Sequence, residues 1–62
     1  MKYQVRYEYT EDDVFHTGLT IDPDNEEDFF LTDIFEEAAS YVAYMDEEYP
    51  NVFYYVEPVE VH

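Results

Sequence analysis

Residues Lys2 to Thr10 alternate without a break. Tyr3, Val5, Tyr7 and Tyr9 fall on one side of an extended chain, and Lys2, Gln4, Arg6, Glu8 and Thr10 on the other. A period of two in aromatic and β-branched residues predicts a strand. Glu11-Asp12-Asp13 reads as a tight turn, after which Val14 to Ile21 resumes β character. Phe15, Leu19 and Ile21 share one face of that segment; His16, Gly18 and Thr20 share the other, which puts His16 on the outer face. The two segments predict a β-hairpin. Asp22-Pro23-Asp24-Asn25 reads as a turn or helix entry, because Asp and Asn cap helix N-termini and acids suit the first turn. The helix begins either near Asp24 or at Thr32 as its cap. From there Ile34, Ala38, Tyr41, Val42, Met45 and Tyr49 form an amphipathic stripe, and Pro50 ends it. Asn51 to Val61 predicts a last strand, with Val52, Tyr54 and Val56 facing one way and Phe53 and Tyr55 the other. Its Pro58 belongs on an edge or at a bulge.

This pattern predicts an α+β fold: a single small ββαβ domain over residues 1–62, with a three-stranded antiparallel sheet covered on one face by one acidic helix. The first strand takes the centre, with its hairpin partner on one side and the last strand on the other. At 62 residues a lone hydrophobic core is close to marginal. Disordered acidic chains are poor in apolar and aromatic residues, whereas this one is 47% hydrophobic and 21% aromatic.

Charge changes the picture most. Seventeen Asp and Glu stand against two Lys and Arg, a formal net charge of -15. Both bases, Lys2 and Arg6, lie in the first strand. Asp22 to Glu37 holds eight acids in 16 positions: Asp22, Asp24, Glu26, Glu27, Asp28, Asp33, Glu36 and Glu37. Glu11-Asp12-Asp13 and Asp46-Glu47-Glu48 are smaller clusters of the same sign. A net charge of roughly 2–8 keeps a small domain soluble, and helices usually intersperse Lys at i+4 to gain a few tenths of a kcal/mol; this helix does so nowhere. Duplex DNA carries one negative charge per ~1.7 Å of axis, and a helix rises ~1.5 Å per residue, so closely spaced carboxylates reach a comparable linear density. A rigid array of this kind suits the Lys- and Arg-lined groove of a nucleic-acid-binding protein, with aromatic anchors supplying lasting affinity. An acidic solvated surface of the halophilic kind also fits the magnitude of the charge, but does not account for eight tyrosines.

Several chemistries fall away. Two bases do not neutralise a phosphate backbone, so direct nucleic-acid binding is not expected, and the same field opposes anionic membranes. With no Cys, disulfides, thiolate metal sites and thiol nucleophiles are ruled out. The N-terminus lacks the apolar core of a signal peptide, and no apolar run is long enough to cross a bilayer, which points to the cytoplasm. Asp22, Asp24, Glu26, Asp28 and Asp33 match part of a Ca²⁺-loop register, yet Glu27 occupies the position where such a loop needs Gly. His16 and His62 have no further ligands at a recognisable metal spacing. Ser40, the only serine, lies inside the helix without a nucleophile-elbow context. No cofactor, no metal and no catalysis are expected.

The combination of about 60 residues, an isoelectric point near 4.1, no cysteine and an acidic helix beside a small sheet resembles the small inhibitors that bacteriophages make against host defences. These include anti-CRISPR proteins, anti-restriction proteins and uracil-DNA glycosylase inhibitors, several of which mimic DNA. The resemblance is one of size and composition over the whole chain and carries no motif. It implies a partner that is a basic nucleic-acid-binding host protein, a CRISPR-Cas effector first among them, with a restriction enzyme or uracil-DNA glycosylase as alternatives. The partner-binding residues expected from the charge pattern are Asp22, Asp24, Glu26, Glu27, Asp28, Asp33, Glu36 and Glu37, with Glu11, Asp12 and Asp13 as a second patch. Tyr54 and Tyr55 of the last strand offer a different contact: a small acidic interaction module that uses its aromatic strand, or a homodimer that pairs strand edges.

Overall fold

The computed structural model describes residues 1–60; Val61 and His62, the end of the expected last strand and its histidine, lie outside the described residues. Six strands and one helix follow in the order β1 (Lys2–Glu11), β2 (Val14–Leu19), β3 (Ile21–Asp22), β4 (Asn25–Phe29), β5 (Leu31–Thr32), α1 (Phe35–Glu48) and β6 (Phe53–Val59). The fold is α+β with antiparallel sheets, but it has more strands than the three expected, and the simple ββαβ order is replaced by ββββββ with the helix before the last strand. The difference lies between Asp22 and Thr32. That segment is neither a plain turn nor the start of the helix; it forms β3, β4 and β5.

β1 is the centre of the larger, four-stranded sheet. β6 pairs antiparallel with it from Lys2↔Val59 to Glu8↔Phe53. β2 pairs with its C-terminal part, from Arg6↔Leu19 to Glu11↔Val14, and β5 with its start, at Tyr3↔Thr32 and Gln4↔Leu31. A strand has two edges, so β2 and β5 lie end to end along the edge opposite β6. The junction falls at Val5, whose carbonyl accepts both the Thr20 backbone N–H at 2.9 Å and the Thr20 hydroxyl at 3.1 Å. Both residues are buried, and Thr20 thus satisfies a buried acceptor that no strand reaches. Between β2 and β5 the chain makes a separate β3–β4 hairpin, paired at Ile21↔Phe29 and Asp22↔Asn25 with a register shift between them.

The β1–β2 hairpin turns through two residues, Asp12 (φ 53) and Asp13 (φ 64). Both are in the left-handed region that two-residue hairpin loops of type I′ require and that Asp tolerates better than most. The expected turn was one residue longer. A one-residue change of register exchanges the two faces of a strand, and the expected faces of β2 are exchanged accordingly. His16 and Gly18 pair with Tyr9 and Tyr7 on the helix side, while Phe15, Thr17 and Leu19 pair with Thr10, Glu8 and Arg6 on the outer side.

The helix lies over β1, β5 and β6. Its N-cap, Ile34, makes no side-chain cap. Thr32 serves nearby instead: its Oγ1 accepts from the Ile34 N–H at 3.1 Å and donates to Glu37. The core beneath the helix is Val5, Ala38 and Tyr54, with Tyr3, Tyr7, Phe30, Tyr41, Val42, Met45, Val52 and Val56 packed around it. Ile34 and Tyr49, the two ends of the expected stripe, fall outside the helix and are about half exposed.

Candidate functional site

The expected acidic array divides into two regions. Glu11, Asp12 and Asp13 form the exposed tip of the β1–β2 hairpin. The other eight acids sit on the β3–β4 hairpin and around the helix start; the hairpin leaves the sheet at Thr20, beside Val5, six residues back along β1. At ~3.3 Å per residue this is a separation of roughly 20 Å.

Within the second region, Asp22, Asp24, Glu26, Glu27 and Asp28 are carried by an extended hairpin and not by a helix. The helical charge-density comparison therefore holds only for Glu36 and Glu37, in the first turn of α1. The hairpin is held by its own side chains. Asp22 Oδ1 accepts from the Asp24 N–H at 2.9 Å, Asn25 Nδ2 donates to Asp28 Oδ2 at 2.8 Å, and Asn25 Oδ1 accepts from the Glu27 N–H at 3.2 Å. Asp33 is exposed in the link between β5 and α1.

A shallow depression of about 530 Å³ joins the two elements. It is lined by Asp24 from the hairpin, Glu36, Glu37 and Ser40 from the helix, and Phe30 and Tyr41 between them. Phe30 and Tyr41 stack with ring centroids 4.5 Å apart, and the Tyr41 hydroxyl donates to the Ile21 carbonyl at 3.0 Å, tying helix to hairpin. The fold thus brings Asp24, Glu36 and Glu37 together around an aromatic floor. Glu36 and Glu37 also meet the positive end of the helix dipole. Neither base reaches this side of the sheet: Lys2 and Arg6 point to the opposite face from Val5, where Arg6 lies 3.7 Å from Glu57 and Gln4 also donates to Glu57.

The two tyrosines expected at a partner surface part company. Tyr54 is 8% exposed, a core residue facing the helix, so it does not offer the ring surface expected of it. Tyr55 faces outward and donates to Glu8 at 3.2 Å. Burial, then the neighbouring tyrosines Tyr49 and Tyr41 and the carboxylate of Asp46, raise the phenol of Tyr54. Burial foremost, with Asp22 adding to it, raises that of Tyr41. Desolvation and the adjacent Glu8 do the same at Tyr55.

Two further groups of residues stand out. The first is an apolar outer face, of which the chain pattern already gave the aromatic side of the last strand, Phe53 and Tyr55, but not Phe15 or Leu31. Phe15 and Phe53 are about 60% exposed there, at 60% and 61%, with Leu31 nearby on the same face. The second is a groove beside the helix lined by tyrosines. Its signal was present: Tyr41, Met45 and Tyr49 recur every four residues, and a core this small does not hide eight tyrosines. His16 stacks on Tyr9, centroids 4.7 Å apart, and Ser40 is on the rim of the acidic depression. Among the described residues no group of three or more His, Asp or Glu side chains is placed to hold a metal ion, and no helix is long and apolar enough to cross a membrane.

The chain matches no protein-family model, and neither a curated protein nor a solved structure shows detectable similarity to it.

Proposed function

We propose that this protein is a non-catalytic inhibitor whose acidic face occupies the nucleic-acid channel of a basic host protein in the cytoplasm, a CRISPR-Cas effector being the first target. One observation carries the reading: carboxylates from two separate elements, Asp24 on one side and Glu36 and Glu37 on the other, surround one depression on a face that neither base of the chain reaches. Hydrogen bonds inside the hairpin and the Tyr41 bond from helix to Ile21 hold the two elements together before any partner arrives, which lowers the ordering cost of binding. Charge complementarity speeds encounter and selects the partner.

The test is competition. Fluorescence anisotropy of labelled target DNA on the guide-loaded effector should report displacement by the protein at low salt, with displacement weakening as salt rises. The double variant Asp24→Lys/Glu36→Lys should raise the inhibiting concentration at least tenfold, because like charges across an interface cost several kcal/mol. Displacement that survives unchanged in the double variant removes the depression from the contact. Absence of displacement at any salt removes the Cas target and leaves the restriction enzyme and the glycosylase as the next proteins to assay.

A second reading rests on the outer face, where Phe15 and Phe53 are exposed. There the protein is an acidic interaction module or a homodimer through β6, whose only strand partner among the described residues is β1. Loss of partner binding in Phe53→Ala, with the Asp24→Lys/Glu36→Lys variant unaffected, would select this reading.

A further inference from the structure

The helix covers β1, β5 and β6 and leaves the inner surface of β2 beside it. Between that surface, the helix and the β3–β4 hairpin lies a groove of about 480 Å³, within the ~300–1,000 Å³ range of small-ligand sites. Four of the eight tyrosines converge on it. Tyr7 and Tyr54 come from the sheet, Tyr41 from the helix and Tyr49 from the residue just past its end, with Met45 between the latter two. Tyr49 is on the rim, 54% exposed. The single glycine of the chain belongs to this arrangement: Gly18 pairs with Tyr7, and a Cβ there would come within 2.8 Å of the Tyr7 hydroxyl oxygen. Gly18 therefore lets the Tyr7 ring lie flat across β2 as part of the groove.

We infer that this groove takes the guanidinium group of an arginine side chain on a basic partner protein, an inference that rests on the inhibitor reading above. Three observations select that chemistry. First, five of the nine lining residues are aromatic, four of them tyrosines, and cations bind the faces of tyrosine rings. Second, the surroundings are anionic with no compensating base. Asp22 and Asp46 directly follow the lining residues Ile21 and Met45, while Lys2 and Arg6 lie on the other face of the sheet; an anionic group would be repelled. Third, polar acceptors stand at the edges. The Ile21 carbonyl takes one hydrogen bond from Tyr41 and keeps a second lone pair, and the tyrosine hydroxyls also accept. A wholly apolar guest would leave these groups dry. Guanidinium is planar, weakly hydrated and rich in donors, so it stacks on a ring while its N–H groups reach such acceptors; an ammonium is a compact, strongly hydrated charge that does this less well.

The experiment titrates the isotope-labelled protein with a nine-residue peptide alternating arginine and glycine, followed through the tyrosine ring resonances. Parallel titrations use lysine, or uncharged citrulline, in place of arginine. Saturable shifts are expected at Tyr7, Tyr41 and Tyr49 and not at Tyr55 on the outer face. The lysine peptide should bind more weakly and the citrulline peptide at least tenfold more weakly. Tyr49→Ala should lower affinity for the arginine peptide about fivefold, in line with one cation–π contact, while Tyr49→Phe, which keeps the ring, should stay within about twofold. An unchanged amide spectrum in both variants establishes that they fold. Equal binding of the arginine and lysine peptides, with shifts at Asp24, Glu36 and Glu37 and none at Tyr7 or Tyr49, overturns the groove assignment while leaving the acidic inhibitor reading intact; Tyr41 borders both sites and does not discriminate. Ring shifts of the expected kind in a protein that does not displace nucleic acid from any target uphold the groove and overturn the inhibitor reading.

Discussion

The two faces of the larger sheet use similar side chains to opposite ends. On the helix side Val5 and Tyr54 are buried, and Tyr7, Tyr41 and Met45 pack around them. On the outer side Phe15 and Phe53 remain about 60% exposed, at 60% and 61%. The acids differ as well. Outward, Glu57 sits beside Arg6 and Gln4, and Glu8 receives the Tyr55 hydroxyl. Inward and above, Asp24, Glu36 and Glu37 line one depression that has no base in its lining. Coverage by the helix, and not residue type, decides which aromatic is core. Where the chain has a base to place, it places it on the face that the helix leaves open. The helix side keeps its charge unneutralised, and that is the side on which the proposed partner docks.

The sharpest way to break this comparison is to truncate matching tyrosines, one on each face. Tyr54→Ala should cost about 3 kcal/mol, the usual loss for a large buried ring, which is most of what a core of this size supplies. Urea titration followed by circular dichroism should find it largely unfolded. Tyr55→Ala should cost less than about 1 kcal/mol, the scale of a cross-strand pair on an open face. Equal losses would mean that the outer face is covered in solution.

A smaller contrast lies within β2. Gly18→Ala places a methyl group against the Tyr7 ring on the helix side and should cost about 1 kcal/mol, lowering the melting temperature by about 5 °C. Thr17→Val, one residue away on the outer side, should stay within about 0.5 kcal/mol. The smallest effect is a pH dependence. Tyr41 and Tyr54 hold their protons more tightly when folded than at their ordinary value of 10.0, burial being the main cause. The stability tied to those phenols is complete below pH 10 and lost as pH rises through the folded values, because the unfolded chain ionises first. Denaturation midpoints should hold steady from pH 8 to about 9.5 and then decline, and Tyr41→Phe should flatten part of that decline.

What the sequence made legible follows from burial. β1 alternates because only one of its faces is covered, and the faces of β6 could be assigned for the same reason. The helix was readable from its stripe and its stop, with Tyr49 and Pro50 just beyond Glu48. β3, β4 and β5 were not readable. Every residue of Asn25–Phe29 is exposed, so neither face imposes an alternation, and acidic residues that disfavour strands fill it. The reversal of β2 has another source: a turn of two residues and a turn of three differ by one position, and hydrophobicity alone put Phe15 inside. Most acids of the candidate site could be named from the chain, but not their grouping. The pairing of Asp24 with Glu36 and Glu37 depends on a hairpin that the pattern of apolar positions does not record.

The β3–β4 hairpin leaves and rejoins the sheet at one place. Thr20 and Phe30 mark its ends, joined by the Phe30 N–H to the Thr20 carbonyl at 3.0 Å, and β2 and β5 continue on either side along the same edge of β1. Residues 21–29 are therefore a single excursion inserted at one point of the sheet edge, tied back to the rest of the fold by the Tyr41 bond to Ile21. A longer excursion between fixed ends adds only a slowly growing closure entropy, so the scaffold tolerates hairpins of other lengths and charges at this point. For an inhibitor of the kind proposed, exchange of this one segment would alter the contact surface with Val5, Ala38 and the rest of the core left as they are.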